Sequence, residues 1–176
     1  MNAYPGPALV TLATALLLFA CAAYVGRCRI KFGIQAPATS GHPQFEIAYR
    51  IQLNTIENTV AFLPVLWVFA IFLSSLWATG IGCVWLLGRV WYARAYACDP
   101  KTRGKGFLVS MLAFGTLALV LASIGLFGVV SYAVSTRERE VGIRMAMGAD
   151  AGRVVRLMMR GGLQLVAIGV ALGLAL

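Results

Sequence analysis

Charged side chains are scarce in this sequence. Only 12% of its 176 residues are Asp, Glu, Lys or Arg, whereas 60% are hydrophobic and the mean hydropathy is +0.83. Soluble domains carry about a quarter charged residues, and the apolar residues here are gathered into long runs. These features exclude an ordinary water-soluble domain and indicate an all-α integral membrane protein, because unpaired backbone cannot face lipid.

Metal ligands and disulfide patterns are equally scarce. The one histidine, His42, lies in a loop with proline and glycine, which is typical of a surface residue. The four cysteines include no CxxC pair: they are Cys21, Cys28, Cys83 and Cys98. We therefore expect neither a metal site nor a disulfide framework. The sequence also has no Walker-type GxxxxGKS or GxxxxGKT motif, so we expect no ATP hydrolysis by this chain.

The net charge of +9 raises the question of a nucleic-acid partner. The basic residues, however, lie beside apolar runs rather than on one soluble face. This arrangement favours cytoplasmic loops that follow the positive-inside rule, and no nucleic-acid partner is expected. The N-terminus lacks the basic n-region of a signal peptide, so we expect the first apolar run to remain in the protein.

The long apolar runs predict a four-helix transmembrane bundle. A hydrocarbon core needs about 20 apolar residues of helix, and four runs approach this length. The predicted spans cover about residues 7–26, 59–78, 80–98 and 107–130. Together they define a transmembrane domain over residues 1–130, followed by an extra C-terminal helical tail over 131–176.

Most basic residues of the predicted transmembrane domain cluster in two loops. The loop after the first span carries Arg27, Arg29, Lys31 and Arg50, and the loop after the third carries Lys101, Arg103 and Lys105. The N-terminus and a turn predicted at 77–80 carry no charged side chain. The positive-inside rule therefore places both basic loops in the cytoplasm and the N-terminus outside.

A polar stripe leads into the second apolar run. In FEIAYRIQLNTIENTVAFLP (45–64), Arg50, Asn54 and Glu57 share one helical face because they are spaced i, i+4, i+7. Charged groups at membrane depth cost about 2.5–3.5 kcal/mol each on insertion scales. They therefore usually face a bundle interior or a wet cavity.

A second stripe, formed by Arg89, Tyr92 and Tyr96, lies in the third predicted span. Such groups can snorkel at helix ends or join helices by hydrogen bonds. Two stripes in neighbouring spans favour the alternative, a polar pocket at the cytoplasmic end that is matched to a charged, peptide-like ligand.

The two polar segments carry a resemblance to a known family. FEIAYRIQLNTIENTVAFLP and GRVWYARAYACDPKTRGKGF (88–107) resemble two motifs of the membrane-associated proteins in eicosanoid and glutathione metabolism, the MAPEG family. The resemblance covers about residues 1–130, with four spans in the expected order. It implies a homotrimer of four-helix subunits that binds glutathione, without a metal, between neighbouring subunits near the cytoplasmic face.

The resemblance also implies a set of site residues. Carried over by position, the glutathione-binding residues are Arg29, Arg50, Gln52, Asn54, Glu57, Tyr92 and Tyr96. Arg103 stands where the family's synthases keep the arginine that activates the thiol. The implied activity is glutathione transfer to a lipophilic electrophile, or reduction of a lipid hydroperoxide. We expect it in a bacterial inner membrane, among membrane lipids, with the active site toward the cytoplasm.

Two positions depart from the family's pattern. Asn58 stands where the synthases have a tyrosine, which weakens one expected ligand contact. Ile30 follows Arg29 where the synthases have a second arginine, so an assisting role toward the acceptor substrate is not supported.

The sequence changes character after residue 130. SYAVSTREREVGIRMAMGADAGRVVRLMMR (131–160) has six arginines and three acidic residues, and a short apolar run follows. Residues 127–176 resemble part of an ABC-type permease of the macrolide-exporter/lipoprotein-release kind. We predict an amphipathic segment followed by a short apolar helix. Four spans place residue 131 outside, whereas a basic segment prefers the inside, and we interpret the tail as a fusion onto the end of a transmembrane domain.

Three functions from different classes are compatible with these patterns. The first is a glutathione-dependent transferase or peroxidase, and the second is a non-catalytic lipid-binding member of the same family. Arg103, together with the intact Arg50, Asn54 and Glu57 set, favours the first over the second. The third, a transporter fragment, is supported by the tail alone.

Overall fold

Four long helices account for most of the chain that the structure describes. The computed structural model describes residues 4–135 and Gly152. The helices are α1 (Pro5–Phe32), α2 (Pro43–Phe72), α3 (Ser75–Cys98) and α4 (Gly104–Ser135), with a short 3-10 turn at Pro100–Thr102. The prediction of an all-α fold is confirmed. The chain divides into two units, 1–121 and 122–176, and all the contacts analysed below lie within the first.

The first connection is shorter than predicted. Gly33 ends α1 in a left-handed conformation with φ 65°, and its N–H bonds to the carbonyls of Arg29 and Ile30. His42 begins α2, because its side chain accepts a 3.2 Å hydrogen bond from the Gln44 N–H. The basic residues assigned to this loop therefore lie inside helices, and the loop comprises only residues 33–42. Lysine and arginine extend a helix readily, so basic character alone did not mark the boundary.

The turn predicted at 77–80 is wrong. Helix α2 ends at Phe72, and α3 begins at Ser75, because the Ser74 hydroxyl accepts a hydrogen bond from the Trp77 N–H at 3.4 Å. Residues 77–80 lie within α3. At Gly82 an added Cβ would lie only 3.1 Å from side-chain atoms of Leu66 and Val10, so glycine here permits close helix packing.

Within residues 4–135, three segments are long and apolar enough to cross a membrane. They are Pro5–Phe32, Pro43–Phe72 and Pro100–Tyr132, and they agree with an integral membrane protein. The third predicted span, 80–98, lies within α3, which is not among the three. Arg89 and Arg94 lower the hydropathy of that helix. A fourth crossing and the homotrimer stay predictions.

The core joins all four helices. Its largest cluster includes Val10, Phe62, Trp85 and Leu117. The Phe62 and Trp85 rings stack at 3.8 Å between centroids. A second buried cluster contains Cys21, Ile51, Tyr92 and Tyr96. Tyr92 and Tyr96, both in the predicted site, thus pack against Cys21 of α1 and Ile51 of α2.

Two glycines bring the start of α4 against α3. A Cβ on Gly106 would overlap the backbone of Tyr92, and a Cβ on Gly88 would lie 2.7 Å from the Ser110 nitrogen. These close contacts, which we call the α3–α4 seam, fix the distance between Tyr92 and the first turn of α4.

The predicted tail falls almost entirely outside the described residues. Positions 131–135 belong to the end of α4. The predictions of an amphipathic segment and a short apolar helix beyond them stay predictions.

Candidate active site

One cavity brings together most of the predicted site. It has a volume of about 480 Å³ and is lined by Arg50, Asn54, Glu57, Tyr92, Arg103, Gly104 and Phe107. Five of the eight predicted site residues therefore border one space, enclosed by α2, α3 and the start of α4.

Helix α2 supplies a charged face to this cavity. Arg50 and Glu57 are exposed and Asn54 is half-buried between them. Their i, i+4, i+7 spacing places the cation and the anion about two turns apart. The face therefore offers the same ligand a positively charged hydrogen-bond donor, Arg50, and a negatively charged acceptor, Glu57.

Arg103 reaches the cavity from the connection between α3 and α4. It follows the 3-10 turn, in which the Asp99 side chain accepts a 3.0 Å hydrogen bond from the Lys101 N–H. The Arg103 guanidinium lies 4.6 Å from the centre of the Tyr96 ring. Of the three basic residues in this segment, only Arg103 lines the cavity; Lys101 and Lys105 do not.

A second cavity lies beside the first. Its volume is about 470 Å³ and its lining comprises Thr39, Ser40, Pro43, Glu46, Ile47, Tyr49, Arg50, Leu53 and Tyr96. Arg50 borders both spaces. Tyr96, predicted to be part of the site, thus belongs to this second cavity and meets the first through its contact with Arg103.

Arg29 and Gln52 line neither cavity of their own chain. Arg29 lies over the Phe45 ring at 4.8 Å, and its Nη1 is buried without a hydrogen-bond partner in the described structure. Gln52 is half-buried. These two cavities therefore do not include the complete predicted set. Within residues 4–135, no cluster of three or more His, Cys, Asp or Glu side chains is placed to hold a metal ion.

The second polar stripe of the sequence includes Arg89, but the site residues implied by the family resemblance do not. This residue is fully buried, and its Nη2 donates to Asn54 Oδ1 at 2.9 Å and to Thr55 Oγ1 at 3.0 Å. Its guanidinium also lies 4.4 Å from the centre of the Tyr92 ring. The pattern that could have identified it is a charge in an apolar helix, one turn before a site tyrosine.

Gly104 and Phe107 were also missed. Both line the cavity from the first turn of α4. Both lie within the second motif, 88–107, but neither has a charged or polar side chain that would mark it as a site residue. Their role depends on the α3–α4 seam, which a single sequence does not reveal.

Two protein families match the chain. The MAPEG family matches residues 7–123, and a family described as FtsX-like permease C-terminal matches residues 112–176. The resemblance of the tail to a permease is thus confirmed, with a start earlier than expected, inside α4. The two matches overlap over 112–123.

Individual relatives agree with the first family. An uncharacterized protein of Synechocystis is 40% identical over 119 residues, which cover 68% of this chain and 83% of the relative. Human microsomal glutathione S-transferase 2 is 34% identical over 127 residues, covering 69% of this chain and 84% of that protein. Bovine leukotriene C4 synthase is 36% identical over 119 residues, covering 68% of this chain and 79% of that protein. Every residue that lines the first cavity falls inside the family match, and the chain belongs to the MAPEG family.

Proposed function

We propose that this chain is a membrane-embedded, glutathione-dependent enzyme, a transferase or a peroxidase that acts on lipophilic electrophiles or lipid hydroperoxides. One observation carries the proposal: Arg50, Asn54, Glu57, Tyr92 and Arg103 line a single cavity. The names of two relatives, a glutathione S-transferase and leukotriene C4 synthase, support this class of reaction.

The charges of the cavity suit glutathione. This tripeptide carries two carboxylates and one ammonium group. Arg50 can hold a carboxylate with two parallel hydrogen bonds, and Glu57 can accept from the ammonium group. A volume of about 480 Å³ falls within the usual range of small-molecule sites, about 300–1,000 Å³.

Arg103 is the residue we assign to the reactive sulfur. A free thiol with a pKa of about 8.5 is mostly protonated at neutral pH. A neighbouring guanidinium favours the thiolate, so the thiol proton passes to solvent and the anion remains. In transfer, the thiolate forms a carbon–sulfur bond while the electrophile's leaving atom takes the electron pair of the broken bond.

Reduction of a hydroperoxide needs two molecules of glutathione. The first thiolate attacks the terminal oxygen, breaks the O–O bond, and leaves an alcohol together with the sulfenic acid of glutathione. A second glutathione then forms the disulfide and releases water. The same Arg103 serves both reactions, because each begins with the thiolate.

Assembly into a homotrimer would complete the site. Arg29 and Gln52 line neither cavity of their own chain, and Arg29 has a buried, unpartnered Nη1. We assign both residues to the glutathione site of a neighbouring subunit, at the cytoplasmic face of a bacterial inner membrane. The acceptor then enters from the lipid. Native mass spectrometry in mild detergent should show trimers, and monomers alone would contradict this assembly.

The direct test of function uses the full chain in detergent. Calorimetry should show glutathione binding, and turnover is then measured with an aryl halide, a lipid epoxide and a lipid hydroperoxide. We expect glutathione-dependent conversion of at least one of the three. Binding of lipid without any glutathione binding would instead support the non-catalytic member of the family.

A further inference from the structure

Arg89 carries a charge that the protein encloses completely, with 0% of its surface exposed. Its Nη2 faces α2, with Asn54 Oδ1 at 2.9 Å and Thr55 Oγ1 at 3.0 Å. Its Nε and Nη1 have no hydrogen-bond partner in the part of the chain that the structure describes. A buried cation that is only partly paired is costly to a fold. The contacts of Arg89 lead toward the neighbouring cavity, because Asn54 lines it.

The contact with Arg89 fixes which way the Asn54 amide points. A guanidinium has donors only, whereas an asparagine side chain has one acceptor oxygen and one NH2 group. Arg89 therefore holds the Asn54 oxygen on the protein side. The Nδ2 of Asn54 has no hydrogen bond in the described structure, and Asn54 lines the cavity. The Asn54 group that remains available to a ligand is therefore its NH2 donor.

Two further contacts keep Arg89 itself in place. Thr55 Oγ1 donates to the Ile51 carbonyl at 2.7 Å, so its lone pairs remain for Arg89. On the other side the guanidinium lies 4.4 Å from the centre of the Tyr92 ring. The same buried cation thus contacts two residues of the cavity wall, Asn54 from α2 and Tyr92 from α3.

We infer that Arg89 is a positioning residue, which turns Asn54 into a hydrogen-bond donor for a carbonyl or carboxylate oxygen of glutathione. This inference rests on the proposed function, because it specifies how Asn54 would bind glutathione. Glu57, three residues further along the same face, is left as the acceptor for the ammonium group. The α2 face is therefore ordered as cation, neutral donor and anion.

Asn54→Asp tests this assignment directly. The substitution keeps an oxygen toward Arg89 and removes the NH2 group, so the fold should persist with an unchanged or higher melting temperature. Glutathione affinity should fall about 10-fold to 100-fold, because a donor to a charged or polar oxygen is replaced by a repelling carboxylate. Gln44→Glu makes the same amide-to-acid change on an exposed residue of α2 outside both cavities, and its affinity should match that of the unaltered chain.

Variants of Arg89 show whether the effect passes through Asn54. Arg89→Met should weaken glutathione binding, and the losses from Arg89→Met and Asn54→Ala should be less than additive in the double variant. Arg89→Lys, which restores a donor toward Asn54, should recover part of the affinity. If Arg89→Met does not fold, Asn54→Asp decides alone.

The outcomes separate the two proposals. If the unaltered chain does not bind glutathione, the proposed function falls and this inference falls with it. If the unaltered chain binds and Asn54→Asp binds equally well or more tightly, only the inference is overturned, because Asn54 would then act as an acceptor. Additive losses in folded Arg89→Met and Asn54→Ala variants would also overturn it.

Discussion

Two arginines contact the two site tyrosines at almost the same distance, yet in opposite surroundings. Arg89 lies 4.4 Å from the centre of the Tyr92 ring and is fully buried, while Arg103 lies 4.6 Å from that of Tyr96 and is exposed. The Nη2 of Arg89 donates both of its hydrogen bonds to α2, whereas Arg103 borders the cavity. Under the proposed function, exposure, more than the arginine–tyrosine contact, separates the arginine that positions another residue from the arginine that meets the thiol.

Removing the exposed arginine should have the largest effect. Arg103→Ala is expected to lower turnover by about 10²-fold or more, as loss of a charge-stabilising donor usually does. Glutathione affinity should change little, because the interaction counts most in the reactive state. Ultraviolet absorbance of the bound thiolate, followed against pH, should show that the pKa of the thiol has risen.

Neighbouring lysines supply the controls for that experiment. Lys101→Ala and Lys105→Ala remove the same charge two residues away on either side, and neither lysine lines the cavity. Their titrations should coincide with that of the unaltered chain. Equal shifts of the thiol pKa in all three variants would show that Arg103 acts only as one of several basic membrane anchors. Arg103 would then have no role in the reaction to set against that of Arg89.

The charged ends of the α2 face should matter for binding rather than only for chemistry. Arg50→Ala and Glu57→Ala are each expected to weaken glutathione binding by about 1.5–3 kcal/mol, the usual worth of a hydrogen bond to a charged group. Calorimetry of the two variants measures this. Unchanged glutathione affinity in both variants would show that glutathione does not bind in this cavity.

The α3–α4 seam lies close in the chain to both the buried Arg89 and the exposed Arg103. One added methyl group, from a glycine-to-alanine substitution, tests how closely the seam is packed. Gly106→Ala should destabilise the protein by about 1–3 kcal/mol, because overpacking displaces Tyr92 or α4. Gly115→Ala is the matched control: it lies in the same helix and its Cβ would meet open space. Equal melting temperatures for the two variants would show that the seam is not close-packed.

The smallest effect is expected from the tail. A chain that ends at residue 135 retains α1 to α4 and both cavities, so its glutathione affinity should equal that of the full chain. Loss of binding on truncation would contradict the assignment of the site to the helical domain. It would also restore the transporter interpretation.

The sequence predicted which α2 residues share one face and one cavity better than it predicted the helix ends. The spacing of Arg50, Asn54 and Glu57 sufficed, because helical periodicity places them on one face whatever the neighbours are. The turn between α2 and α3 was misplaced because the apolar run continues through both helix ends, so hydropathy alone does not show that the chain breaks at residues 73–74. The role of Arg89 depends on a contact with a residue 35 positions away. Local patterns hold no information about such a contact.

The composition of α3 has a consequence for biogenesis. This helix carries Arg89 and both site tyrosines, and within residues 4–135 it is not among the three segments that are long and apolar enough to cross a membrane. Small residues at the seam let α4 approach it closely, which is how helices associate in lipid without a hydrophobic driving force between them. We therefore expect insertion of α3 to depend on the helices synthesised before and after it. The cavity is complete only once the first turn of α4 has joined it, because Gly104 and Phe107 form part of its lining.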